Sequence, residues 1–176
     1  MISESNFNKL AKQGYNRIPL MCEILADLDT PLSTYTKICN LKYSYLFESV
    51  EGGDKWGRYS IIGLPAKKII SVCGNKITIK ENNKCIEEYN TNDPLAEIEK
   101  IQQSYKVPQI ENMPRFNGGL VGYFGYETIK YIEPKLKKNE KEDPIGSPDI
   151  LLMVSDEVII FDNLSGKLFI IVHAEP

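Results

Sequence analysis

Toward its end the chain passes through three apolar runs in quick succession: residues 150–154 (ILLMV), 157–162 (EVIIFD) and 167–172 (KLFIIV). Each is short, rich in β-branched and aromatic residues and bounded by polar breaks, so all three read as strands. Asn163 to Gly166 supplies the turn of a final hairpin. A chain with this many closely spaced strands at one end needs pairing partners elsewhere, and its middle offers them.

Residues 43–50 (YSYLFESV) and 58–63 (RYSIIG) flank a polar, glycine-rich loop (EGGDKWG). Residues 68–73, 75–80 and 84–89 form a meander of short strands with turns at Gly74-Asn75 and Asn82-Asn83. Residues 18–22 add a short strand, and residues 118–126 a glycine-studded one. Helices are few. Residues 3–14 space Phe7, Leu10 and Ala11 helically, with Ser3 or Ser5 as cap. Thr30-Pro31 opens a second helix reaching about Asn40, with Leu32, Tyr35 and Ile38 on one side. Asp93-Pro94 opens a third, to about Tyr105, with Leu95, Ile98 and Ile101 on its buried stripe. Residues 134–148 are the most polar stretch, contain three prolines and read as a mobile surface loop. The order predicts an α+β fold: short antiparallel strands forming parts of two packed sheets, with a few flanking helices. The chain stops at Ala174-Glu175-Pro176, straight after an apolar strand, which reads as a boundary between domains.

The 42% hydrophobic and 26% charged residues suit a globular chain with its own core, and a net charge of −3 leaves no footprint for nucleic acid. No apolar run approaches the roughly 20 residues of a membrane span. The N-terminus lacks the apolar centre of a signal peptide, so a cytoplasmic location is expected. Of the four cysteines, Cys22, Cys39, Cys73 and Cys85, the closest pair is 12 residues apart, which excludes CxxC-type zinc and redox spacing. Reduced, mostly buried thiols are expected. The series Gly118, Gly119, Gly122, Gly125 is a poor phosphate loop: Leu, Val, Tyr and Phe lie between the glycines, and no Lys-Ser/Thr follows. Packing between two sheets is its expected role.

Leu46-Phe47-Glu48-Ser49, then Gly52-Gly53, then the run Trp56 to Gly63 (WGRYSIIG) form one ordered set of motifs. Phe116 to Glu127 (FNGGLVGYFGYE), Asp143-Pro144, Pro148-Asp149 and Phe161-Asp162 continue it. This set resembles the N-terminal region of the anthranilate synthase component I family of chorismate-utilising enzymes, over roughly residues 7–174. The resemblance implies that residues 1–176 are a regulatory region whose catalytic, chorismate-binding half is absent. It further implies a complete lyase making anthranilate and pyruvate from chorismate and ammonia, in tryptophan biosynthesis. That enzyme would use Mg2+ held outside this segment, a glutaminase partner (component II) and L-tryptophan as feedback inhibitor. No cofactor is expected here and no catalytic residue. The single histidine, His173, and the lack of a clustered Glu/His set agree with that.

A zwitterionic amino acid needs an anion for its ammonium, donors for its carboxylate and an apolar slot for its ring. Glu48 can supply the first, the Ser49 hydroxyl bonds in either direction, and Arg58 offers a forked pair of donors. The resemblance assigns Glu48 and Ser49, and a basic residue near Arg58, to the tryptophan site. Without it, Glu48 and Arg58 read as an ordinary cross-strand pair. Trp56 is a loop anchor or a pocket lid, and the basic stretch from Lys135 to Lys141 a solvated loop or a docking surface for the partner. Two other functions fit the same residues: the corresponding region of aminodeoxychorismate synthase component I, and a stand-alone amino-acid-binding module. A lone regulatory half is also expected to expose apolar surface.

Overall fold

The computed structural model describes residues 2–39, 41–49, 57–133, 135–136, 143 and 145–176. The elements run α1 (Glu4–Lys12), β1 (Ile18–Leu25), α2 (Pro31–Ile38), β2 (Tyr45–Glu48), β3 (Tyr59–Gly63), β4 (Lys68–Cys73), β5 (Lys76–Glu81) and β6 (Lys84–Asn90). There follow α3 (Pro94–Ser104), β7 (Gly119–Phe124), a 3-10 turn (Tyr126–Thr128), α4 (Ile129–Ile132), β8 (Ile150–Ser155), β9 (Glu157–Asp162) and β10 (Lys167–Ala174). The strands form two antiparallel five-stranded sheets, ordered β1-β10-β9-β3-β2 and β6-β5-β4-β8-β7. The α+β expectation holds.

The chain divides into two compact units, one around each sheet. The first comprises residues 1–66, 105–119 and 155–176; the second comprises residues 67–104 and 120–154. The three C-terminal apolar runs are therefore shared out: β8 joins the second sheet, β9 and β10 the first.

In the first unit, β9 is central and buried along nearly its whole length, which is why EVIIFD shows no alternation. One face carries Val158, Ile160, Phe169 and Ile171, packed with Met21, Ile61, Met113 and Phe116. The other carries Ile62, Ile159, Phe161 and Leu168, covered by Tyr35 and the buried Cys39 at the end of α2. That cover stops short of β1 and β10. There Ile24, Ile170 and Val172 stay 46, 37 and 40% exposed, with Cys22 opposite Ile170. Strand β1 outruns its expected end at residue 22 because its eight residues pair one-to-one with β10. Arg17 ties the unit's separate stretches together: it bonds Glu175 (2.5 Å), approaches Asp156 (3.4 Å) and lies over the Tyr105 ring.

In the second unit, β4, β5 and β6 form the expected meander, with Asn82 and Asn83 both at positive φ in the tight turn. Asp93 caps α3 by accepting from the Ala96 N–H. Of α3's expected stripe only Ile98 is fully buried; Leu95 and Ile101 are half-buried. The 3-10 turn and α4 carry no strong periodic signal and were not expected. Tyr131 in α4 donates its hydroxyl within reach of Asp149 and the Gly74 carbonyl. Burial and that carboxylate push its phenol well above the usual tyrosine range.

Three expectations need correction. Cys22, Cys73 and Cys85 are exposed and only Cys39 is buried, because the first three fall on strand positions that no described residue covers. Leu32 and Ile38 face outward, and of the stripe proposed for α2 only Tyr35 joins the core. Gly122 is needed within a sheet rather than between sheets: a Cβ there would lie 1.9 Å from the Leu151 carbonyl oxygen of β8. Residues 50–56, including Trp56, and most of 134–144 lie outside the described residues.

Candidate functional site

The ends of β2 and β3, the opening of α2 and the β9–β10 turn meet around one cleft of about 560 Å³ in the first unit. Glu48 and Ser49 form part of its wall. Ala26, Pro31 and Phe161 give it apolar surface, and Asp29, Thr30, Asp162 and Asn163 give it polar surface.

Each part is positioned by local chemistry. Helix α2 starts where it does because Thr30 and Ser33 form a capping box: Thr30 Oγ1 accepts from the Ser33 N–H (3.1 Å) and Ser33 Oγ from the Thr30 N–H (2.9 Å). Pro31 occupies the first turn, where its missing N–H costs nothing. In the β2–β3 hairpin Glu48 stands opposite Ser60. The Ser49 N–H reaches the Tyr59 carbonyl (3.3 Å). At Gly57 the chain passes so close to Ser49 that a Cβ would fall 1.7 Å from its carbonyl oxygen.

Three carboxylates belong to this cleft, and two already have cations. Asp29 is held below the usual carboxylate range, first by the Lys37 ammonium at 2.5 Å and then by the Ser33 hydroxyl. Asp162 is likewise held down, first by Arg58 and then by Ser165 and Leu164, against the opposing effect of its burial. No described residue bonds the exposed Glu48 carboxylate. Among the described residues it is the one carboxylate of the cleft without a cation, and Ser49 follows it directly on the wall.

Arg58 stands apart. It is not on the described wall of the cleft. Its guanidinium pairs with Asp162 (Nη2 to Oδ2 2.9 Å, Nε to Oδ1 3.2 Å) and lies over the Tyr59 ring. The structure thus brings Glu48 and Ser49 together and directs Arg58 to Asp162, so the simple Glu48–Arg58 cross-strand pair does not occur. His173 sits in the same unit as a structural group, one ring nitrogen 2.8 Å from the Asn117 carbonyl oxygen. Sequence reasoning read Thr30-Pro31 as a helix start that also matches the family near its beginning, and Asn163 as part of a turn; neither was assigned to the site.

Comparison with known proteins gave no match to any family model. Curated relatives match the chain almost end to end. The chain is 52% identical over 175 residues to anthranilate synthase component 1 of Pseudomonas putida, covering 99% of this chain and 36% of that protein. This chain is homologous to anthranilate synthase component I. The component 1 of Neisseria meningitidis serogroup C is 51% identical over 179 residues, and that of Acetivibrio thermocellus 41% over 165. The chain spans about a third of the length of these component I relatives (36% and 33%). The crystal structure of component I from Streptococcus pneumoniae TIGR4 has the same fold over 86% of this chain and 31% of its own, at 24% identity and a TM-score of 0.51.

Proposed function

We propose that this chain is the regulatory N-terminal part of an anthranilate synthase component I, and that its cleft takes L-tryptophan as a feedback inhibitor. The complete enzyme, a cytoplasmic lyase, would form anthranilate and pyruvate from chorismate and ammonia. A glutaminase subunit supplies the ammonia, and the catalytic C-terminal half of the same chain holds chorismate and Mg2+. Among the described residues no three of His, Cys, Asp and Glu gather as a cation site.

The observation that carries the reading is identity at about half of all positions, over 99% of the chain, to proteins of that name. The cleft supports the regulatory part. Among the described residues its one carboxylate without a cation, Glu48, lies beside a hydroxyl and lines the same cleft as Phe161 and Pro31, a set that suits an aromatic zwitterion. No described helix is long and apolar enough to cross a membrane.

Binding in a complete component I carrying this sequence tests both parts. Feedback coupling is reciprocal, so saturating chorismate should weaken tryptophan binding by the factor with which tryptophan weakens chorismate binding. Glu48→Gln should lower tryptophan affinity about tenfold or more, the loss of a charge-assisted bond. Tryptophan affinity indifferent to both chorismate and Glu48→Gln would remove the regulatory assignment.

A further inference from the structure

The network at the edge of the cleft, in which Asp162 and Asn163 also form part of the wall, gives Arg58 a different task from ligand contact. Its Nε and Nη2 form the edge with which a guanidinium grips a carboxylate, and Asp162 already fills that edge, with contacts at 2.9, 3.2 and 3.3 Å. Asp162 is only 4% exposed and takes two further bonds, from the Leu164 and Ser165 N–H groups. For Arg58 to turn to a ligand it would have to abandon a buried carboxylate, which is costly. Asn163 extends the same grip. Its N–H donates to the Arg58 carbonyl (2.8 Å), and its Nδ2 lies 3.1 Å from the Gly57 carbonyl oxygen and 3.3 Å from Ser60 Oγ.

Residues 57–60 are thus fastened on one side to the β9–β10 turn and on the other to the site. On the site side, Ser49 bonds Tyr59 and touches Gly57, and Glu48 faces Ser60. The turn needs none of this for its own closure. The Gly166 N–H to the Asp162 carbonyl and the two N–H bonds to the Asp162 carboxylate already close it. Residues 163–166 are exposed.

We infer that Arg58, Asp162 and Asn163 are positioning residues: together they hold residues 57–60, and through them the Glu48–Ser49 pair, while Arg58 makes no bond to the bound amino acid. This rests on the amino-acid site proposed above and deepens it.

The test is calorimetric titration of a complete component I carrying this sequence with L-tryptophan and with L-tryptophan amide, which lacks the carboxylate. Arg58→Gln, Asp162→Asn and Asn163→Ala should each weaken both ligands by a similar factor, about tenfold. The Arg58→Gln/Asp162→Asn pair should be no worse than either single change, since both break one contact. Arg58→Gln weakening tryptophan while leaving the amide untouched would make Arg58 a direct carboxylate ligand and overturn the inference. Hydrogen exchange at the Ser49 amide gives a readout independent of ligand. It should quicken about tenfold in Asn163→Ala, a surface change that leaves the buried carboxylate in place, and an unchanged rate would also overturn the inference. Failure of the unaltered protein to bind tryptophan at all, with Ser49 exchange still responding, would sink the tryptophan reading and leave the positioning network standing.

Discussion

Gly63→Ala is the most discriminating single change for the fold that carries the cleft. Gly63 faces Tyr45 directly across the β2–β3 pair, and the tyrosine ring lies over the glycine. A Cβ at that position would sit 1.9 Å from Tyr45 Cε1 and 2.3 Å from Cζ. The ring has little room to yield. Tyr45 is buried and its hydroxyl is 2.8 Å from Ser155 Oγ, itself only 2% exposed. Overpacking of this kind costs about 1–3 kcal/mol. Displacing the ring also breaks the hydroxyl pair and strands a buried Ser155, for about 1–3 kcal/mol more. The sum is about 2–6 kcal/mol, or a fall in Tm on the order of 10 °C for a domain of this size. Thermal unfolding of wild type, Gly63→Ala, Tyr45→Phe and the double variant measures it. Because Gly63→Ala already breaks the hydroxyl pair, Tyr45→Phe should cost about 1 kcal/mol less in its presence than alone. A Gly63→Ala protein within about 0.5 kcal/mol of wild type, or strict additivity, would refute the packing argument.

Gly122→Ala should cost about 3 kcal/mol, because the group it meets is the Leu151 backbone, which cannot rotate away; Gly125→Ala, with its nearest neighbour at 3.0 Å, should cost less in the same denaturant titration. The Asp162 carboxyl is held below the usual range, chiefly by Arg58, so its folded pKa lies under its unfolded one. The stability it contributes is complete above about pH 4 and is lost as pH falls through the lower folded value. Asp162→Asn should therefore flatten the acid limb of the stability curve, and an unaltered limb would contradict the assignment. In native protein Cys22, Cys73 and Cys85 should alkylate readily, while Cys39, buried and with its thiol pushed up by desolvation, should react only on unfolding; peptide mass mapping reads this out. The chain expressed by itself should self-associate through the uncovered face of β1 and β10. Ile24→Lys with Val172→Lys should shift sedimentation toward monomer, and no shift would exonerate that face.

Strand existence was largely legible because it depends on local pattern. YSYLFESV, RYSIIG and the three C-terminal runs announce themselves through β-branched and aromatic residues between turn formers. The Thr30 and Asp93 helix starts were equally local, each needing only a side chain and an amide three residues away. The 3-10 turn and α4 were missed because seven residues with little periodicity give no signal, and they are held by Tyr131 reaching Asp149 and Gly74. Cysteine burial was misjudged for a related reason: an apolar neighbour in sequence says nothing about whether anything covers that face.

The same division runs through the site. The residues from Glu48 to Ser60 already carried, in order and type, the resemblance and the choice of Glu48 and Ser49, because a motif is a property of the string. Which charges remain open was decided only in three dimensions. Arg58 is matched to a carboxylate 104 positions away, Asp29 is neutralised by Lys37 in the last turn of α2, and Glu48 is left without a partner among the described residues. Electrostatic compensation depends on distance in space, which falls steeply in effect over a few ångströms and is set by sheet register.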